Sequence, residues 1–124
     1  MNNLIQILDY GSSEYRLGYS GDVQPVNCKV PQIQQNLTEF FEFYDVSKPV
    51  NSSYSVLVIE KNLQDTKLRN KISKYLFENA EVDSVYFAKS AVLSLFSVGK
   101  SSGLVVENSE TQCEFLCVED SFID

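Results

Sequence analysis

The chain has 124 residues, ten Lys and Arg against seventeen Asp and Glu, and a formal net charge of -7. Hydrophobic residues make up 44% of it, which is enough for the core of one ordinary domain. The acidic balance argues against a nucleic acid or an anionic membrane as main partner, because both select clustered Lys and Arg. His is absent, so Ser–His and Cys–His hydrolysis and most zinc sites are excluded.

The cysteines and the N-terminus indicate the compartment. Cys28, Cys113 and Cys117 form no C-x-x-C pair and predict reduced, partly buried thiols of an intracellular protein, without a disulfide framework or a bound metal. Cys113 and Cys117 alternate along a predicted strand, which favours core packing for both. The apolar run 4–8 is too short for a signal peptide or a membrane span. We therefore expect a soluble cytoplasmic or nuclear protein.

The first part of the chain alternates short apolar runs with polar turns. Residues 4–8 predict a strand, residues 15–19 a second strand of period two, and residues 26–30 a third. These consecutive strands are expected to form an antiparallel β-meander. Apolar residues then recur at helical spacing between 37 and 44 and predict a short helix that ends before Pro49.

The second part of the chain alternates helices and strands. Residues 54–59 are almost wholly apolar and predict a central strand that is buried on both faces and parallel to its neighbours. Asp65 predicts the N-cap of an amphipathic helix. The apolar stripe of that helix consists of Leu68, Ile72, Tyr75 and Leu76.

The remaining elements complete an α/β pattern. Residues 82–87 predict a short extended piece, and residues 88–98 a helix with Ala91, Val92, Leu95 and Phe96 on its apolar face, stopped by Gly99. Residues 103–106 and 112–118 predict two more strands. The predicted order is β-β-β-α-β-α-α-β-β, an α/β domain with a mixed sheet.

The turn after the first strand resembles the first phosphate loop of actin and actin-related proteins. That family reads D-x-G-S-G, then a Lys, then G-F-A-G-D. The matching residues here are Asp9, Gly11, Ser12, Ser13 and Arg16, followed by Gly-Tyr-Ser-Gly-Asp at 18–22. In such a loop, backbone N–H groups and a hydroxyl face phosphates, and the Asp organises a divalent cation.

The resemblance continues through residues 4–120. Residues 56–60 are similar to the family's L-L-T-E strand, and residues 91–99 are nearly its A-V-L-S-L-Y-A-S-G. Residues 82–90 are similar to V-P-S-V-L-F-A-P-S of the branch that includes the dynactin pointed-end actin-related protein. The resemblance implies a ribonuclease-H-like, actin-type half-domain: a single subdomain-1-like domain over 1–124, without subdomain 2 and the second half of the fold.

Departures from the family pattern argue against ATP hydrolysis. The second phosphate loop reads D-S-G-D-G-V-T-H in the family, but residues 107–114 lack both glycines and carry Glu107 for the first acid. Ser90 takes the place of the Gln that positions the attacking water. Vestigial nucleotide contacts at Asp9, Gly11, Ser12, Ser13, Arg16 and Glu107 are one interpretation, and a hairpin kept for its shape is the favoured alternative. No catalytic residue, metal or cofactor is expected.

Exposed aromatic side chains are the candidate contacts to other proteins. The candidates are Phe40, Phe43, Phe115 and Phe122. A basic group on the second helix is either a docking face or a solvated surface, and the sequence leaves both interpretations open. This group consists of Lys67, Arg69, Lys71 and Lys74.

The resulting hypothesis is a non-catalytic architectural subunit of a cytoskeletal assembly, of the dynein/dynactin or axonemal type. Its expected partners are other subunits of a multi-protein complex, with actin or another actin-related protein among the candidates. Three alternatives stay open: a nucleotide-binding regulatory module without turnover, a protein that caps filaments, and an actin-related subunit of a nuclear remodelling complex.

Overall fold

The computed structural model describes residues 4–10, 14–29, 37–49, 54–60, 65–108 and 113–123. The strands are β1 (Leu4–Asp9), β2 (Tyr15–Tyr19), β3 (Asn27–Lys29), β4 (Tyr54–Glu60), β5 (Ser84–Lys89), β6 (Gly103–Asn108), β7 (Cys113–Glu119) and β8 (Phe122–Ile123). The helices are α1 (Leu37–Ser47), α2 (Thr66–Glu78) and α3 (Ser90–Ser97). They confirm the predicted α/β class with a mixed sheet.

The described strands form two sheets. The larger sheet has the order β3-β2-β1-β4-β5, in which β1, β2 and β3 are the predicted antiparallel meander and β4 runs parallel to both β1 and β5. The smaller sheet is antiparallel, in the order β6-β7-β8. The predicted element order is wrong at two places, because β5 is a complete strand between α2 and α3 and because β8 follows β7.

The main core lies between one face of the larger sheet and the helices α1 and α2. It is built from Leu8, Leu17, Val56, Val58, Ile72 and Leu76, with the aromatic residues of α1. Inside it, the hydroxyls of Tyr44 and Tyr54 are 2.8 Å apart and share a hydrogen bond. Burial, followed by this hydrogen bond, raises the pKa of Tyr44, so the pair stays neutral.

The prediction that Phe40 and Phe43 contact a partner is wrong. Their exposed fractions are 2% and 6%, because α1 lies on the sheet with this side facing β2. The ring of Tyr15 on β2 meets Phe40 edge-on at 5.2 Å between centroids and lies 5.8 Å from Phe43. A concentration of aromatics on one short helix therefore marks its core side here.

The predicted start and stripe of α2 are confirmed. The side chain of Asp65 accepts a hydrogen bond from the backbone N–H of Leu68 at 3.1 Å, which satisfies one of the donors left free at a helix start. Ile72 and Leu76 are buried against the sheet, while Leu68 and Tyr75 pack at the margin of the core.

Helix α3 packs against the smaller sheet. Ala91, Val92 and Leu95 form a second buried cluster with Val105 and Val118. The chain leaves α3 at Gly99, whose φ of 74° is the left-handed conformation typical of a helix end. Phe96 was expected on the buried side, but it is exposed because the sheet contacts only the opposite side of α3.

The prediction of partly buried cysteines is also wrong, since Cys28, Cys113 and Cys117 are all exposed. In the smaller sheet, Leu116 and Val118 pack towards α3. Because successive side chains of a strand point to opposite faces, Cys113 and Cys117 face outward.

Candidate functional site

The carboxyl ends of the three parallel strands β1, β4 and β5 meet at one edge of the larger sheet. Asp9 ends β1, Glu60 ends β4 and Lys89 ends β5. Glu60 is directly opposed to Lys89, and Asp9 is opposed to Ile59, one residue before Glu60. Ligands of open α/β sheets bind outside the carboxyl ends of the strands. This edge, together with the start of α3, is therefore the candidate functional site.

A buried ion-pair cluster occupies the centre of this edge. Glu60 is 3% exposed, and its carboxylate accepts hydrogen bonds from both Nε and Nη2 of Arg69, the former at 3.2 Å. The Nζ of Lys89 lies 3.1 Å from Glu60 Oε1. Burial raises the pKa of Glu60, but the hydrogen bonds from Arg69 and Lys89 together outweigh burial and leave that pKa below its usual value.

The cluster changes how Arg69 is interpreted. Its guanidinium lies over the ring of Phe87, 5.0 Å from the centroid, in addition to its bonds with Glu60. Arg69 therefore stabilises the packing of α2 on β4 and β5, and it does not belong to a solvated basic surface with the lysines of its helix. Nearby, burial and the charge of Glu60 raise the pKa of Tyr10 to about 12, so this phenol stays protonated.

Asp9 and Arg16 are the two predicted phosphate-loop residues that the structure brings together. They are directly opposed in the β1–β2 register and line a shallow groove of about 240 Å³ with Gly18, Asp22 and Ile59. The Nε of Arg16 donates to the carboxylate of Glu14 at 3.1 Å, so its charge is already compensated. The other three predicted loop residues, Gly11, Ser12 and Ser13, lie outside the described residues.

Glu107 lies on β6 and is connected to the first turn of α3. The hydroxyl of Ser90 lies 2.9 Å from each carboxylate oxygen of Glu107. The two residues stand at the positions that the sequence analysis matched to the water-positioning Gln and to the first acid of the second phosphate loop. Here they bind each other, and this contact between α3 and the smaller sheet was not predicted.

Sequence reasoning also missed Glu60, Arg69 and Lys89 as a cluster. The available signal was an acidic residue directly after the apolar run of β4, where a buried carboxylate needs a cation. Among the described residues, no group of three or more His, Cys, Asp or Glu is placed to hold a metal ion. No helix in the described ranges is long and apolar enough to cross a membrane.

A mixed sheet that starts with an antiparallel meander, with a charged edge at the carboxyl ends of its parallel strands, is consistent with an actin-type α/β domain. The family model described as actin matches residues 33–123, and the chain belongs to the actin family.

Curated relatives show the same affiliation. The chain is 36% identical over 74 residues to actin-like protein 7B of Mus musculus, covering 60% of this chain and 18% of that protein. It is 32% identical over 69 residues to centractin of Saccharomyces cerevisiae, and the match covers 56% of this chain and 18% of centractin. It is 30% identical over 87 residues to actin-related protein 2 of the same yeast, and the match covers 70% of this chain and 22% of that protein. The chain thus spans about a fifth of the length of these relatives.

Proposed function

We propose that this chain is a non-catalytic architectural subunit of a larger cytoskeletal protein assembly, of the dynein/dynactin or axonemal type. The observation that carries the proposal is an apolar surface on the smaller sheet, here called the outer sheet face. It consists of Leu104, Val106, Phe115, Cys117 and Phe122. Phe115 and Phe122 are 71% and 76% exposed, and both were predicted from the sequence as partner contacts.

The outer sheet face is continuous across the strands. Val106 pairs with Phe115 and Leu104 with Cys117 in the β6–β7 register, so these side chains are neighbours on one side of the sheet. Glu119 is the charged residue on this side, opposite Phe122. A contiguous apolar patch of this kind marks a protein interaction surface more often than scattered exposed residues do.

The candidate site supports a role without catalysis. Its two cations, Arg69 and Lys89, are both engaged by Glu60, and Arg16 is engaged by Glu14. The carboxylates of Asp9 and Glu107 add negative charge at the same end of the domain. Phosphates of a nucleoside triphosphate require uncompensated cations or free backbone N–H groups, so the pairing of these three cations with carboxylates supports a role without nucleotide turnover.

The proposal is tested by purifying the tagged full chain from its own cells and identifying the proteins that remain bound. We expect cytoskeletal and actin-related subunits with the wild type. Phe115→Asp/Phe122→Asp should lose them because it places two charges on the outer sheet face. Val23→Asp/Val46→Asp, a variant with the same change in charge at two exposed positions elsewhere, should keep them.

Three outcomes would contradict the proposal. One is a native preparation without bound subunits, and another is equal retention of the same subunits by both double variants. A set of chromatin-remodelling subunits would instead support the nuclear alternative. Circular dichroism of both variants checks that differences in binding do not come from unfolding.

The second candidate function is a nucleotide-binding module without turnover, which the Asp9–Arg16 groove favours. Calorimetric titration of the full chain with Mg-ATP distinguishes this nucleotide-binding module from the proposed architectural subunit. We expect no saturable heat, because Arg16 is paired with Glu14 and acidic side chains surround the site. Saturable micromolar binding that Asp9→Ala abolishes would support the second candidate instead.

A further inference from the structure

A second surface for partners lies between α1 and α2, separate from the outer sheet face. It is a groove of about 250 Å³, here called the helix groove, lined by Leu37, Phe41, Lys71, Lys74, Tyr75, Glu78 and Asn79. Phe41 and Tyr75 stack face to face, with centroids 3.9 Å apart and planes 6° apart. The hydroxyl of Tyr75 donates to the carboxylate of Asp45, which holds the ring in place.

Two lysines on the rim of the helix groove, Lys71 and Lys74, form no ion pair with any described residue. Five basic residues in the described ranges lie within 4 Å of a carboxylate: Arg16, Lys29, Lys48, Arg69 and Lys89. In those same ranges, Lys67, Lys71 and Lys74 on α2 form no such ion pair. Lys100 is the fourth described cation without such an ion pair, so three of the four lie on α2, and two of these border the groove in a chain of net charge -7.

We propose that the helix groove binds an acidic peptide segment of a partner protein. The segment inserts one large apolar side chain beside the Phe41–Tyr75 pair and places carboxylates near Lys71 and Lys74. The groove has about the volume of eight waters in the liquid, enough for one such side chain. This inference rests on the proposed function, since it assumes that the chain works by binding other proteins.

The same chemistry disfavours a phosphate-rich partner. Glu78 lies on the rim one turn beyond Lys74, and the net charge of the chain repels a dense array of phosphates. A peptide differs from such an array because it alternates carboxylates with apolar side chains. It can therefore use the aromatic floor and the two lysines together and avoid Glu78.

The test is fluorescence anisotropy of the full chain with a labelled acidic peptide that carries one Trp and one Leu between runs of Asp and Glu. Saturable binding is expected, and it should weaken with added salt. Lys71→Glu/Lys74→Glu should weaken it about tenfold or more, because two attractive contacts become repulsive. Lys67→Glu/Lys100→Glu is the matched control and should change it less than about twofold.

The two double variants, Lys71→Glu/Lys74→Glu and Lys67→Glu/Lys100→Glu, have the same formal net charge. Each Lys→Glu exchange removes two positive units, so both double variants change the formal net charge from -7 to -11. A difference between them therefore reports the position of the lysines. Two control peptides complete the design, one with Ser for the acids and one with Ser for Trp and Leu, and neither should bind.

Several results would overturn the inference: no binding, equal weakening by both variants, or stronger binding to anionic vesicles or to RNA than to the peptide. Amide shifts in an NMR titration that map to β6–β8 would overturn it as well. If the wild type binds no peptide but still purifies with cytoskeletal subunits, the groove inference alone fails. If it binds the peptide but purifies without any subunit, the proposed function fails.

Discussion

Replacing Glu60 by Gln is expected to lower the free energy of unfolding by about 3 kcal/mol, in the range typical when one partner of a buried ion pair is removed. Glu60 is almost fully buried, and its carboxylate compensates both Arg69 and Lys89. The neutral amide leaves two partly buried cations next to each other. Urea unfolding followed by circular dichroism measures the change.

The matched control is Glu78→Gln, which neutralises an exposed acid on α2 and should change stability by less than about 0.5 kcal/mol. A loss of less than about 1 kcal/mol for Glu60→Gln would contradict the prediction, because it would mean that solvent screens the cluster.

The pH dependence of stability provides an independent measurement of the same cluster. The pKa of Glu60 is lower in the folded chain than its usual value of 4.5. The unfolded state therefore binds the proton more readily, and the stabilisation is complete above the usual value. It is lost as the pH falls below 4.5 and through the lower folded-state pKa. Stability of Glu60→Gln should accordingly fall less steeply than that of the wild type in this acidic range.

Replacing Gln6 by Met is expected to stabilise the fold by about 1–2 kcal/mol. The gain corresponds to the usual cost of burying a polar group without a hydrogen-bond partner, which the substitution removes. Gln6 lies fully buried on β1, and neither its amide nitrogen nor its amide oxygen has a hydrogen-bond partner. Met has a similar length and no strong polar atom, so it fills the same space without this penalty.

Thermal unfolding of Gln6→Met should show a midpoint roughly 3–8 °C higher, since 1 kcal/mol shifts a domain of this size by several degrees. Gln24→Met, at an exposed position, serves as the control and should leave the midpoint nearly unchanged. A lower midpoint for Gln6→Met would contradict the prediction, and a buried water bonded to the amide is one physical cause that would produce it.

Elements with a regular local pattern could be predicted from the sequence. The apolar run of β4 and the cap and stripe of α2 are decided by neighbours a few residues apart, and the structure confirms them. The side on which a short element is buried depends on distant partners. Phe40 became core because β2 presents Tyr15 to it, and Cys117 became surface because α3 covers the other face of β7.

The site was harder to predict than the fold. Asp9 and Arg16 were found because one β-hairpin brings them together. The Glu60 cluster joins three elements, and Ser90 of α3 contacts Glu107 of β6 across seventeen residues of sequence. Such contacts depend on how the sheets pack, which neither hydrophobic periodicity nor motif spacing specifies.

The outer sheet face also has a consequence for how much of this protein a cell can maintain. If a partner covers this face as proposed, a copy without it would expose Phe115 and Phe122 to solvent, and protein quality control recognises exposed apolar surface of this kind. We expect unassembled copies to be degraded or to aggregate, so that the abundance of the chain follows the supply of its partner more closely than its own rate of synthesis.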